Sequence, residues 1–189
     1  MALAVGLLAT DVAADPVCKP VGVDKCPGNL VGLRTADGHY VSRCEGCSRG
    51  AADANSVTLH MTDPTGHGWV QWAFTKLANG KVAFQCNDSK KYLARCNGCH
   101  PGGKFPNAAF VHEDTYIDKD VAQWNVLPVP NTGKVVLQSD NGLYLAACTN
   151  CVPAGSYPVF VFDQATSVND PDAQFEVVCL DQVTGAPLS

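Results

Sequence analysis

Charge is scarce in this sequence: 16% of its 189 residues are Asp, Glu, Lys or Arg, and the net charge is -5. So few cations leave no basic field to gather phosphates and no polybasic stretch to hold an anionic membrane surface, so nucleic acid is not expected as a partner. No apolar run approaches the roughly 18 residues of a membrane-spanning helix, and no membrane insertion is expected. The GxSxG, HExxH, phosphate-loop and dinucleotide-binding patterns are missing, so nothing marks a catalytic centre, a resident metal or a cofactor. Strong helix-forming stretches are missing as well, whereas Gly (17) and Pro (12) are plentiful. That balance favours short strands joined by turns.

What is abundant is cysteine. Ten in a chain of this size, an even number, fit an oxidising compartment better than the cytosol. The start, MALAVGLLATDVAA over 1–14, points the same way. Its apolar run from Ala2 to Ala9 is followed by Val12 and Ala14 at the minus-three and minus-one places of a cleavage site. It is expected to be a signal peptide, although no Lys or Arg precedes the apolar run, and the protein is expected to be secreted and extracellular. Residues 15–28 then read as a Pro-rich arm, and 181–189 as a C-terminal tail.

Comparing the sequence with itself is decisive. Gly32 to Cys47 (GLRTADGHYVSRCEGC), Ala83 to Cys99 (AFQCNDSKKYLARCNGC) and Val136 to Cys151 (VLQSDNGLYLAACTNC) superimpose with hardly a gap, and the paired cysteines recur every 52 residues. Each copy continues with an alternating run (Val57 to His60, Ala109 to His112, Val159 to Phe162) and a polar-aromatic pair (Gln71-Trp72, Gln123-Trp124, Gln174-Phe175). Four short strand signals per copy and three copies predict an all-β chain, a β-trefoil of three ~52-residue repeats over 29–180, with copies 29–79, 80–132 and 133–180. Alternation places Leu33, Phe84 and Leu137 in one threefold core layer and Trp72, Trp124 and Phe175 in another.

The pattern apolar-x-(x)-Asp/Asn-Gly-x-Tyr-Leu, followed by a Trp-containing last strand, resembles the fascin-like (actin-crosslinking-like) branch of the β-trefoils over Leu30 to Val178. The Gln-x-Trp motif of ricin-type lectins is absent, because Gln and Trp are adjacent here. A CxxC in every copy and the export signal depart from cytoskeletal fascins and argue against actin.

Three readings compete for the pairs Cys44/Cys47, Cys96/Cys99 and Cys148/Cys151. Redox chemistry wants a CxxC at a helix N-terminus, and these follow strands. Structural zinc wants two pairs brought together, and repetition is expected to spread them around the barrel. A local disulfide in each copy is the reading adopted. Of the remaining four, Cys26 and Cys179 align with Pro130 and Pro128 of a connector between copies, so a Cys26–Cys179 bridge would close the trefoil where no peptide link exists. Cys18 with Cys86 follows by elimination.

The five histidines are scattered, and His60 and His112 occupy equivalent positions, which suits structural roles. A binding module would use loops repeated once per copy. The candidates are Arg43 and Glu45 in the first copy, Arg95, Asn97 and His100 in the second, and Asn150 and Tyr157 in the third. Trp69 on its Gly/Pro loop and the tyrosines Tyr40, Tyr92 and Tyr144 are possible stacking platforms. The third copy has Ala147 in place of the arginine, so its pocket is expected to be the weakest. Asn87-Asp-Ser89 is a glycosylation sequon. The resulting expectation is a non-enzymatic extracellular protein that binds carbohydrate or a glycoconjugate, multivalently, through loops around the threefold axis. Self-assembly into a matrix or filament, protease inhibition or defence, and actin binding are the alternatives.

Overall fold

A computed structural model describes residues 22–152 and 159–188. It is all-β, with only short 3-10 turns beside its twelve strands. These are β1 (Leu30–Arg34), β2 (Tyr40–Glu45), β3 (Asn55–Met61), β4 (Trp72–Lys76), β5 (Val82–Cys86), β6 (Tyr92–Asn97), β7 (Asn107–Glu113), β8 (Asn125–Pro128), β9 (Val135–Gln138), β10 (Tyr144–Thr149), β11 (Val159–Ala165) and β12 (Glu176–Cys179).

Six strands close on themselves. β12 pairs with β1, β1 with β4 and β4 with β5. A Val82–Trp124 bridge carries the ring towards β8, β8 pairs with β9, and a Val135–Phe175 bridge returns it towards β12. The other six form the hairpins β2–β3, β6–β7 and β10–β11. Single bridges β3–β7, β7–β11 and β11–β3 join them into a three-sided cap. Ring closure leaves no free edge among the six, which removes the usual template for edge-to-edge association.

The core follows from alternation. Leu33, Phe84, Leu137, Trp72, Trp124 and Phe175 are all buried in one cluster. Each Gln of the polar-aromatic pairs works as a clamp: its side-chain amide donates to the carbonyl of Pro64, Tyr116 or Val168, six or seven residues upstream. The indoles of Trp72 and Trp124 donate to the Val41 and Leu93 carbonyls at 2.9 and 3.0 Å. A buried indole N–H needs such a partner, and both find one in the preceding hairpin of the same copy.

In the third copy the alternating run sits two residues later than its sequence suggests. Val57, Ala109 and Val161 face Arg43, Arg95 and Ala147 respectively, so the third counterpart is Val161 to Gln164, not Val159 to Phe162. Val-Phe-Val-Phe satisfies either register, because alternation repeats every two residues. The shift puts Asp163 where Leu59 and Val111 stand in the other copies.

Cys26 is joined to Cys179, with Cα atoms 5.2 Å apart across 153 residues of chain. This bond ties the entry of the chain to β12 at the seam, and the chain-entropy model assigns a loop of that length about 4 to 5 kcal/mol. Each CxxC pair is joined internally. These pairs are not spread around the barrel as the sequence reading has it. Cys47, Cys96, Cys99, Cys148 and Cys151 all pack into one cluster with Phe110, Phe160 and Phe162 at the cap, because the hairpins that carry them converge there. Cys86 is a buried thiol with no disulfide partner among the described residues. Its expected partner Cys18, the signal peptide and the first half of the N-terminal arm lie outside the described residues.

Candidate functional site

The two expected arginines are turned inward. Arg43 reaches from β2 across to the turn after β5. One Nη donates to Asn55 Oδ1 at 2.6 Å and to Glu45 Oε2 at 3.3 Å, and the other is paired with Asp88. Arg95 does the same from β6 to the turn after β9. Its Nε and Nη2 donate to the two Asp140 oxygens at 2.7 Å each, and Nη1 donates to Asn107 at 3.1 Å. A fork matched to a carboxylate in this way gives a directional, charge-assisted contact. The Arg95 hydrogen bonds hold the Asp140 carboxyl below the usual carboxylate range. Both guanidinium side chains are largely covered, at 13% and 15% exposure, so they seal the junctions between copies and are not presented to a ligand.

The seam between the third copy and the first lacks that seal. Strand register makes Ala147 the counterpart of Arg43 and Arg95, Thr149 that of Glu45 and Asn97, and Val159 that of Asn55 and Asn107. In the turn after β1, Ala36 stands where the other turns carry Asp88 and Asp140. Donors and acceptors are removed together, so no buried charge is left unpaired. What remains is a cleft of about 350 Å³. Leu59, Ala147, Val159 and Ala36 supply its apolar surface, and Pro171 closes one side. Thr35, Asp37, His39, Thr149 and Asp172 supply its polar groups. Thr35 Oγ1 donates to Asp37 Oδ1 at 2.5 Å and His39 Nδ1 lies 3.1 Å from Asp37 Oδ2. The hydroxyl of Thr35, above all, holds the Asp37 carboxyl below its ordinary range. The sequence reading expects the weakest pocket in the third copy, and the open cleft is found there.

A second, wider cleft of about 480 Å³ lies on the other side of the same turn, sharing Thr35, Ala36 and Asp37 and adding Arg34, Gly38, Lys134 and Glu176. There Arg34 is neutralised by Glu176, at 2.6 Å from Nη2 and 3.1 Å from Nε. A third cleft, about 400 Å³, lies at the uncapped end of the barrel between Val23, Leu77 and Val126.

The remaining candidates are dispersed. Glu45 and Asn97 are exposed at the ends of β2 and β6. Asn150 has φ 58°, the place held by Gly46 (74°) and Gly98 (75°), so it serves a left-handed turn that Asn tolerates. Trp69 is half-exposed in a 3-10 turn, its ring 4.7 Å from that of His67. Tyr40 is buried at 2% exposure and cannot be a platform, whereas Tyr92 and Tyr144 are half-buried. Asn87 is half-buried, with Nδ2 donating to Gln71 Oε1 at 2.9 Å. His100 is buried in the cap among Phe110, Phe160 and Phe162, with Nδ1 2.6 Å from Ser48 Oγ. Burial pushes its imidazole down to about 4. Tyr157 lies outside the described residues. The cleft itself escaped sequence reasoning because it is built from residues more than a hundred positions apart. The signal was the simultaneous loss of Arg, Asn and Asp at three equivalent positions.

No family model matches the sequence, and no curated protein matches it. Solved structures do match. A salivary protein from Culex, of the Cysteine and Tryptophan-Rich family, superimposes with TM-score 0.58 at 16% identity, over 86% of this chain and 97% of that one. A designed threefold-symmetric protein, ThreeFoil, gives 0.53 at 16% identity, over 80% and 99%. A Polyporus squamosus lectin, solved with a Neu5Ac-containing glycan epitope, gives 0.59 at 10% identity, over 81% and 49%. At these identities the likeness concerns the fold: this chain has a trefoil-like all-β architecture.

Proposed function

We propose that the chain is a β-trefoil of three ~52-residue repeats that works outside the cell as a non-enzymatic binding protein, and that its ligand is carbohydrate. The observation that carries this is the unsealed seam. Two of three equivalent junctions are closed by arginine–aspartate pairs, and the third is opened by small residues into a cleft of about 350 Å³, the volume class of small-ligand sites. Carboxylate, imidazole and hydroxyl groups at the mouth suit the hydroxyls of a sugar, and Leu59, Ala147 and Val159 suit the C–H face of its ring. Four disulfides among the described residues support the extracellular assignment. A carbohydrate ligand is supported by the glycan-bound lectin, about half of whose chain superimposes on this fold. Binding through one cleft makes the protein monovalent, in contrast with the multivalent expectation from its repeats.

The test is a glycan-array screen of the oxidised protein beside an Ala36→Asp/Ala147→Arg variant, which rebuilds the fork. Binding by the parent and loss in the variant supports the proposal. A blank array, or equal binding by both proteins, contradicts it.

A further inference from the structure

In the two sealed junctions the fold fills this position with a cation. Arg43 and Arg95, largely covered, present a guanidinium to the carboxylate of the turn opening the next copy. At the third junction the arginine and its facing carboxylate are both replaced by alanine, Ala147 and Ala36, yet other carboxylates remain nearby. Among the described residues no Lys or Arg lines the cleft, and two carboxylates, Asp37 and Asp172, stand at its mouth. The Asp172 side chain is exposed and makes no ion pair among the described residues. Asp37 is kept ionised by Thr35 and shares its second oxygen with His39. Leu59 and Val159 add apolar surface to the cleft beside Ala147, the position equivalent to the two arginines.

We infer that the cleft selects an organic cation, a guanidinium or primary ammonium carried on a short apolar or sugar framework, which takes the place the fold elsewhere gives to its own arginine. The inference rests on the reading of this cleft as the ligand site. Two sources share the chemistry: an amino sugar with a free ammonium, and a small alkylguanidine.

Titration calorimetry of the oxidised full chain at low ionic strength, where a carboxylate–cation contact is least screened, separates them. The probes are glucosamine, N-acetylglucosamine, glucose and propylguanidine. Glucosamine binding at least tenfold tighter than N-acetylglucosamine and glucose supports the inference with an amino sugar as source. Propylguanidine binding without any sugar supports it with a small cation as source and removes the carbohydrate reading. Neutral sugars binding as tightly as glucosamine overturn the inference and leave carbohydrate recognition standing. Heat from none of the four overturns both. In the supporting cases, Asp37→Asn/Asp172→Asn lowers affinity for the cation at least tenfold with an unchanged circular-dichroism spectrum. Unchanged affinity in that variant overturns the inference.

Discussion

Arg95 and Asp140 face each other across the junction of the second and third copies through two parallel hydrogen bonds of 2.7 Å, with Asp163 4.0 Å behind. The pair is three-quarters or more covered, and truncating one member leaves carboxylates without their cation. Arg95→Ala is expected to lower unfolding stability by about 2 kcal/mol, read as a shift of the urea midpoint. Lys76→Ala, which breaks a solvent-exposed pair with Asp24, should change stability by less than about 0.5 kcal/mol. Equal effects would show that the junction fork carries no special weight.

The Cys26–Cys179 bond replaces the peptide connection that joins the other copies. Cys26→Ser/Cys179→Ser is expected to cost about 4 kcal/mol, measured by denaturant unfolding under non-reducing conditions. Removing one CxxC pair, with its three-residue separation, should cost much less. A loss below about 1 kcal/mol for the seam bond would mean that β1–β12 pairing alone closes the barrel.

Trp124 donates its indole to the Leu93 carbonyl, whereas the equivalent Phe175 has no donor to give. Trp124→Phe therefore keeps the aromatic layer but orphans one buried carbonyl, at a cost of about 1 to 3 kcal/mol. A neutral result in thermal unfolding would show that water reaches that carbonyl.

Acid should weaken the fold through His100. Its folded-state value of about 4 lies below the roughly 6.5 of an unfolded histidine. The unfolded chain therefore takes the proton first, and stability falls as pH drops from about 6.5 to 4, by at most about 3 kcal/mol. Below that window His100 contributes no further slope. Burial pushes the Asp163 carboxyl up, so the folded state protonates it before the unfolded chain does, and acidification there restores some stability. Comparison with His100→Val, which copies the equivalent Val152, isolates the histidine. The parent should lose more stability than the variant across that window, and parallel curves would rule the histidine out.

The strand order was legible because one pattern recurs: the Tyr40, Tyr92 and Tyr144 turns and the Gln-aromatic pairs mark the same strands in each copy. The fate of Arg43 and Arg95 was not. A repeated arginine after a strand reads equally as a ligand contact or as an internal seal, and only the facing turn decides. Asp88 and Asp140 lie 45 residues downstream of their partners, whereas Ala36 meets the Ala147 strand across the ring closure, where sequence proximity gives no hint. Asp163 was hidden for another reason: an apolar run that alternates cleanly does not reveal a two-residue shift.

The most direct test follows alanine, leucine and valine methyl resonances of the oxidised protein by NMR while the tightest-binding probe is titrated in. Shifts confined to Ala36, Leu59, Ala147 and Val159, saturating with one equivalent, are the predicted result. Shifts at the Arg43 and Arg95 junctions, or spread evenly over all three copies, would contradict a single site at the open seam.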